Sequence, residues 1–269
     1  MRPERSVRAC RNAIAFALTR LNNAAIVERA FRPSAFERIN FMPGDVSTPP
    51  GFCAKVSELL KRLEYRKATT PESLERIYRL RYDANLREGA IEPLAQQRLV
   101  DRFDEGANVS NFGIFIDGVL TSALRLHLVS RTNTWSPAFE VFGDILRDRI
   151  NDGARLIDGN RFVADYPRAR SFPQLPYVTL WLGIMAAEHF GADLIAASVR
   201  SEHVAFYQRE YFAEKMCEPR PYPSLVKPLS LILIDYRRRG EDIRARHPFY
   251  ASSAGERTRL FEVKANACC

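Results

Sequence analysis

Apolar and polar positions change period several times along the chain, and each change marks an element. LEYRKA (63–68) reads as a short strand. Thr70 then precedes Pro71, the signature of a helix N-cap followed by proline in the first turn. In TTPESLERIYRLRYDANLREG, positions Leu74, Ile77, Tyr78, Arg81, Tyr82 and Asn85 share one helical face. FGIFID (112–117) and VLTSALRLHLV (119–129) are strands meeting at Asp117-Gly118, a hairpin signal. Ser136-Pro137 opens a helix to Ile150, and RLIDGNRFVAD (155–165) is a central strand. A proline-rich loop (166–176) leads into a helix ending near Phe190. DLIAASV (193–199) is a strand, EHVAFYQREYF (202–212) a short helix, and LSLILIDY (229–236) a last strand apolar enough to be buried. This order predicts an α/β (α+β) domain with one mixed sheet covered by helices.

The turn-rich stretch PGDVSTPPG (43–51) reads as a linker. Three regions follow: a basic N-terminal extension over 1–60, the domain over 61–236, and a basic tail over 237–269. Charge sharpens that division. Of the net +8, residues 1–66 carry +6, residues 237–269 carry +4, and the middle is −2. Basic flanks suit nucleic acid, an anionic membrane or an acidic protein. No helix-turn-helix, zinc-finger or aromatic RNA-binding motif is legible, so nucleic acid is not expected as a partner. The N-terminal run mixes Arg with apolar residues and lacks a cleavage site, which speaks against a secretory signal. It reads as an amphipathic helix, either packed on the domain or touching a membrane surface or a partner. No run of about 18 apolar residues predicts a membrane span. Cysteines stand at 10, 53, 217, 268 and 269, an odd number without a C-x-x-C pair. That suggests neither a disulfide framework nor a zinc ribbon and suits free thiols in a cytoplasmic protein.

Charge also appears where the pattern asks for apolar residues. Arg81 lies in the helical stripe, Asp101 and Asp104 in VDRFDE, Arg125 on a strand face with Thr121, Ala123 and His127, and Asp158 and Arg161 in the central strand. Buried charges are costly unless paired. Three arginines and three carboxylates can satisfy one another, and ionic groups gathered near strand ends point to a site. Singly, each has a plainer reading: Arg125 as a solvated strand residue, Asp101 and Asp104 as turn caps. Asp158 and Arg161 are three apart, so a regular strand sends them to opposite faces. Gly159 between them is a natural bulge that would aim both at one cleft.

L-R-Y (80–82), D-R-F-D (101–104), A-L-R-L (123–126) and D-G-N-R-F (158–162), in this order, resemble the acyl-homoserine-lactone synthases and their relatives, the N-acyl amino acid synthases. V-R-S-E-H-V-A-F-Y-Q-R-E-Y-F (199–212) is similar to a helix of GNAT proteins. The resemblance covers 63–236 and implies a GNAT-like acyltransferase with a mixed central sheet flanked by helices. It departs in two places. Lactone synthases carry aromatic residues where this chain has Asn85 and Ile91, which weakens a pocket for S-adenosylmethionine. The glycine-rich pyrophosphate loop of CoA-using GNAT enzymes is replaced by DYPRARSFPQLP (165–176).

The resemblance implies an N-acyltransferase that moves a long-chain acyl group from an acyl-carrier-protein thioester to an amino acid amine, without a cofactor or metal. The carrier protein, which is acidic, would meet the basic flanks or Arg168 and Arg170. Asp158 is the expected proton acceptor, Asp104 the second choice, and Arg161 holds one of them. Arg81, Asp101 and Arg125 would position the amine substrate, and backbone N–H groups at the bulge would meet the oxyanion. The acyl tail would lie between helix 175–190 and strand 229–236. Cys217 as nucleophile lacks a neighbouring His and reads as inert; His127 and His203 are alternative bases. Two other functions stay open: an autoinducer synthase using S-adenosylmethionine, and a non-catalytic binding module. The expected location is cytoplasmic, with the inner membrane face as a peripheral contact.

Overall fold

A computed structural model describes residues 50–262. The expectations for the N-terminal helix and for Cys10, Cys268 and Cys269 lie outside the described residues. Seven strands form one sheet in the order β1-β2-β3-β4-β5-β7-β6. They are β1 (Leu63–Lys67), β2 (Val109–Ile116), β3 (Val119–Val129), β4 (Leu156–Ala164), β5 (Leu194–Val199), β6 (Glu214–Lys215) and β7 (Ser230–Asp235). All neighbours are antiparallel except β4 and β5, which run parallel. The β2–β3 turn places Asp117 and Gly118 at φ of 50° and 75°, the left-handed pair that a tight hairpin requires.

Helices α1 (Pro50–Leu60), α2 (Pro71–Arg87), α3 (Pro137–Asn151), α4 (Tyr166–Ser171), α5 (Leu175–Phe190), α6 (Ser201–Tyr211), α7 (Tyr236–Arg246) and α8 (Ala254–Phe261) complete the described chain. Strand alternation sorts them into two layers. Leu124, Leu126, Ile157, Ile195, Ile232 and Ile234 face α5 and α6. Val129, Leu156, Leu194, Leu231 and Leu233 face Phe142, Leu146 and Ile150 of α3. Ala123 faces Ile77 and Tyr78 of α2. The α2 start is built as its sequence predicts: Thr70 and Ser73 form a reciprocal capping box ahead of Pro71.

The packed body is longer than 61–236. The linker proline Pro50 begins α1, whose Val56 and Leu59 are buried against Ile116 and Val178. Beyond residue 236, Ile243, Tyr250 and Phe261 enter the core. Burying each such side chain contributes about 1.5–3 kcal/mol, enough to fold a charged segment onto the body. The proline-rich stretch expected as a loop contains α4, because the Asp165 carboxylate accepts from the Arg168 amide and caps it. No helix among the described residues is long and apolar enough to cross a membrane.

Candidate functional site

Five of the six singled-out charges form one connected network. Arg81 sits on the core face of α2, wholly buried. It donates to Asp104 Oδ1 at 2.7 Å and to Asn111 Oδ1. Asp101 and Asp104 flank a 3-10 turn (Arg102–Asp104) as a capping box: Asp101 Oδ1 accepts from the Phe103 amide at 2.9 Å, Asp104 Oδ2 from the Asp101 amide at 3.0 Å. Arg125 points from β3 toward the same turn and is buried, not a solvated strand residue. Its Nη1 lies 2.6 Å from Asp101 Oδ1 and 3.0 Å from Asp104 Oδ1, and its Nε donates to Asn160 at 2.6 Å. Arg161 Nε donates to Asp101 Oδ2 at 3.1 Å.

The electrostatics follow from burial. Burial pushes the Arg81 guanidinium down to about 10, against the pull of Asp104. Burial opposes ionisation of Asp101, but the hydrogen bonds and charges of Arg125 and Arg161 win and hold its carboxyl well below the usual range. Asp104 is lowered too, burial again being outweighed by Arg81 and Arg125. Both carboxylates are therefore ionised, and two of them face three guanidinium groups. The network carries one surplus positive charge.

The bulge exists, but one turn of the pleat later than Gly159. Ala123 pairs with Val163 and Arg125 with Asn160, so β4 inserts one residue between them. Arg161 takes φ of 53° there. The left-handed residue restores parity and brings Arg161 to the face that carries Arg125 and Asn160. Its partner, however, is Asp101 rather than Asp158 or Asp104. Asp158 stands apart from the network. Its Oδ2 accepts from the Ala138 amide at the start of α3, at 3.1 Å. Its Oδ1 is buried without a hydrogen-bond partner among the described residues.

A cavity of about 180 Å³ opens where β4 and β5 part. The two strands pair only through Gly159 and Ala197, which leaves the β4 edge beyond Gly159 without a strand partner on that side. The walls combine Leu180 and Ile184 of α5 with Leu229, Ile232 and Ile234, the two elements expected to hold an acyl tail. Arg161 also lines it, with Asn160, Ser198 and Tyr222. Arg81, Asp101, Asp104 and Arg125 do not; apart from Arg81 Nε, which has no partner, their side chains bond to one another, to Arg161, Asn111 and Asn160, and to nearby backbone amides. They link α2, the 3-10 turn and β3 behind Arg161, the member of the network that reaches the cavity. Asp104 has no free oxygen to act as a base.

Tyr222 is the residue the sequence reading missed. It lies between short strands in a loop with no periodicity, so no local signal marks it. Its hydroxyl is buried and without a partner, with the Ser198 hydroxyl beside it outside hydrogen-bond geometry. Burial raises its pKa, and the neighbouring Asp158 carboxylate raises it further. Arg161 Nη1 and Ser198 Oγ are further unpartnered polar atoms of residues at this wall. His127 is committed: Nε2 donates to the Phe103 carbonyl at 2.9 Å and Nδ1 accepts from Asn160 at 3.2 Å, so it is neutral, as its burial-lowered pKa requires. His203 lines the cavity, where burial and then Arg200 push it down to about 4, a weak base at neutral pH. Cys217 packs beside Met216 and Leu225 and does not line the cavity.

A mixed sheet whose two parallel neighbours part over a mainly apolar cavity, with a bulged strand on one wall, is a GNAT-like fold. Residues 76–235 match the family model described as N-acyl amino acid synthase FeeM, and the chain belongs to that family. It is an N-acyltransferase. Among solved structures it is similar to FeeM, an N-acyl amino acid synthase from uncultured soil microbes, with TM-score 0.57 and 16% identity over 70% of this chain and 98% of that one. It is also similar to BjaI, a CoA-dependent acyl-homoserine lactone synthase, with TM-score 0.53 and 16% identity over 70% and 89%. MesI, another CoA-dependent lactone synthase, gives 0.51 and 17% over 71% and 96%. No protein of curated function matches the chain in sequence.

Proposed function

We propose that this acyltransferase carries an acyl group from an acyl-carrier-protein thioester to the amine of an amino acid, inside the cavity between β4 and β5. One observation carries the reading. Arg161 Nη1, Tyr222 OH and Ser198 Oγ, all buried and unpartnered, belong to residues on the wall of a mainly apolar cavity. Buried polar atoms of this kind are ordinarily satisfied, so each calls for a ligand atom. The surplus positive charge of the network reaches the cavity at Arg161, which fits the carboxylate of an amino acid.

The chemistry then runs by direct transfer. The amine nitrogen attacks the thioester carbonyl carbon, the C–S bond breaks, and the thiolate leaves. The amine gives its proton to the Tyr222 oxygen as Tyr222 passes its own, by way of one water, to Asp158 Oδ1. Asp158 thus keeps the role of final acceptor but works through Tyr222, since it does not line the cavity. Unpaired backbone N–H groups on the parted β4 edge are the donors for the oxyanion.

Two features support a carrier protein over CoA. Asp165 places a carboxylate on the N-terminus of α4, where a pyrophosphate would need free amides. Arg168 and Arg170 of α4, with Arg87 stacked on Tyr166 at 3.9 Å, make a basic surface just beyond the end of β4. No residue observation favours S-adenosylmethionine: Asn85 donates to the Arg81 carbonyl, and Ile91 packs with Tyr82 and Leu99.

The test offers carrier and CoA thioesters to the purified protein with each amino acid and with S-adenosylmethionine. Mass spectrometry should find an N-acyl amino acid from the carrier thioester. Product from CoA alone, or a lactone from S-adenosylmethionine, would reject the donor or the acceptor. Tyr222→Phe should lower kcat by about 10²–10⁴-fold with little change in KM, the range for losing a positioned proton carrier. An unchanged kcat would remove Tyr222 from the proton path.

A further inference from the structure

The family match ends at residue 235, but the packed chain continues. After α7, the segment turns back through a 3-10 turn (Pro248–Tyr250) and crosses α5 and α6. His247 Nε2 meets the Glu210 carbonyl at 3.0 Å, and Trp181 Nε1 donates to the Tyr250 carbonyl at 3.0 Å. Tyr250 itself is wholly buried. Its hydroxyl donates to the Tyr177 carbonyl at 3.1 Å, so the 2.5 Å contact between the two hydroxyls has Tyr211 as donor. The Tyr211 and Tyr250 rings lie 6.2 Å apart at 12°, a stacked pair.

Tyr211 is also a wall of the acyl cavity, and its depth can be read from α6. The helix begins at the parted end of β5 and returns along it. His203, Phe206, Tyr207 and Tyr211 present one face to the cavity. From His203 to Tyr211 the rise is about 12 Å. His203 is half-buried and Tyr211 is 2% exposed, so depth grows along this face toward Tyr211.

We propose that Tyr211, anchored by Tyr250 from the C-terminal segment, is the end wall of the acyl cavity and limits the acyl chain to medium length. This rests on the acyl-transfer reading. A cavity of about 150 Å³ admits a six-carbon ring, so 180 Å³ takes an acyl tail of about six to eight carbons. A longer chain must displace a tyrosine that is fixed both by stacking and by a relay of two hydrogen bonds. The end wall lies within the family match but its anchor, Tyr250, lies beyond it, and together they set a shorter chain than the family resemblance implied.

The test uses the full chain with saturated acyl thioesters of four to sixteen carbons, on carrier protein and on CoA. Wild type should lose about tenfold or more in kcat/KM between eight and fourteen carbons, well within what pocket contacts to methylenes supply. Tyr211→Ala should abolish that loss, and Tyr250→Phe, which frees the Tyr211 hydroxyl, should reduce it. Wild type using fourteen carbons as well as eight, or a folded Tyr211→Ala keeping the wild-type ratio, would overturn the proposal. If Tyr211→Ala fails to fold, Tyr211→Leu is read the same way. If wild type yields no N-acyl product from any donor, the acyl-transfer reading fails instead. The end wall is then judged by calorimetry with eight- and fourteen-carbon fatty acids: wild type should prefer the shorter and Tyr211→Leu the longer, and an unchanged preference rejects it.

Discussion

At the scale of single residues, Arg81, Asp104 and Arg125 show why out-of-pattern charge identifies a place without identifying a role. Arg81 is buried among apolar neighbours only because Asp104 and Asn111 complete its hydrogen bonds. Removing one member leaves the other as an unpaired buried charge, which costs about 3–5 kcal/mol. Asp104→Asn should therefore destabilise the protein by that amount in urea unfolding at neutral pH. The pH dependence follows from the lowered Asp104 pKa. A carboxyl lowered on folding stabilises fully above its unfolded value, about 3.9, and that contribution fades as pH falls below it. The difference between wild type and Asp104→Asn should be constant above about pH 4 and shrink in acid. A difference that persists undiminished to pH 2 would mean that Asp104 is not the charge partner of Arg81.

At the scale of elements, most of the sheet and helices were legible because their signals are local. The Thr70 cap, the Asp117-Gly118 turn and the strand alternation of β3 each act within a few residues. Thr70→Ala should accordingly cost about 1 kcal/mol, read as a Tm lowered by a few degrees with acyl transfer unchanged. No shift would mean that the capping box contributes nothing to α2. Other elements were hidden for physical reasons. Pro50–Leu60 begins in a proline–glycine pair that reads as a turn, and its helix is held by two core residues, Val56 and Leu59. The bulge was legible as a parity problem, but Gly159 was the wrong site for it. Arg161 bears the left-handed backbone, and the Asp101 ion pair rewards the direction in which it then points.

At the scale of the whole molecule, the C-terminal segment reads as a basic tail yet serves as a third packing layer. Its surface is charged, and its few apolar residues are spaced too irregularly to declare a helix face. Ile243, Tyr250 and Phe261 nevertheless enter the largest core cluster. Their burial is worth about 1.5–3 kcal/mol each, comparable in sum with the usual stability of a domain. Ending the chain after Asp235 should leave a protein without a cooperative thermal transition. A truncated protein that melts as sharply as wild type would show that the family-matched part is stable alone.

Amino-acid order alone determined the succession of strands and helices, the single mixed sheet, and which charged side chains stand where apolar ones belong. All of these depend on periods and caps that extend over a few neighbours. Only the folded chain decided that Arg161 meets Asp101, that the Asp158 charge acts on Tyr222, and that Tyr211 stacks on Tyr250. Those pairings join positions from 39 to 64 residues apart, through strand register, one inserted residue and the return path of a segment. No local pattern encodes them.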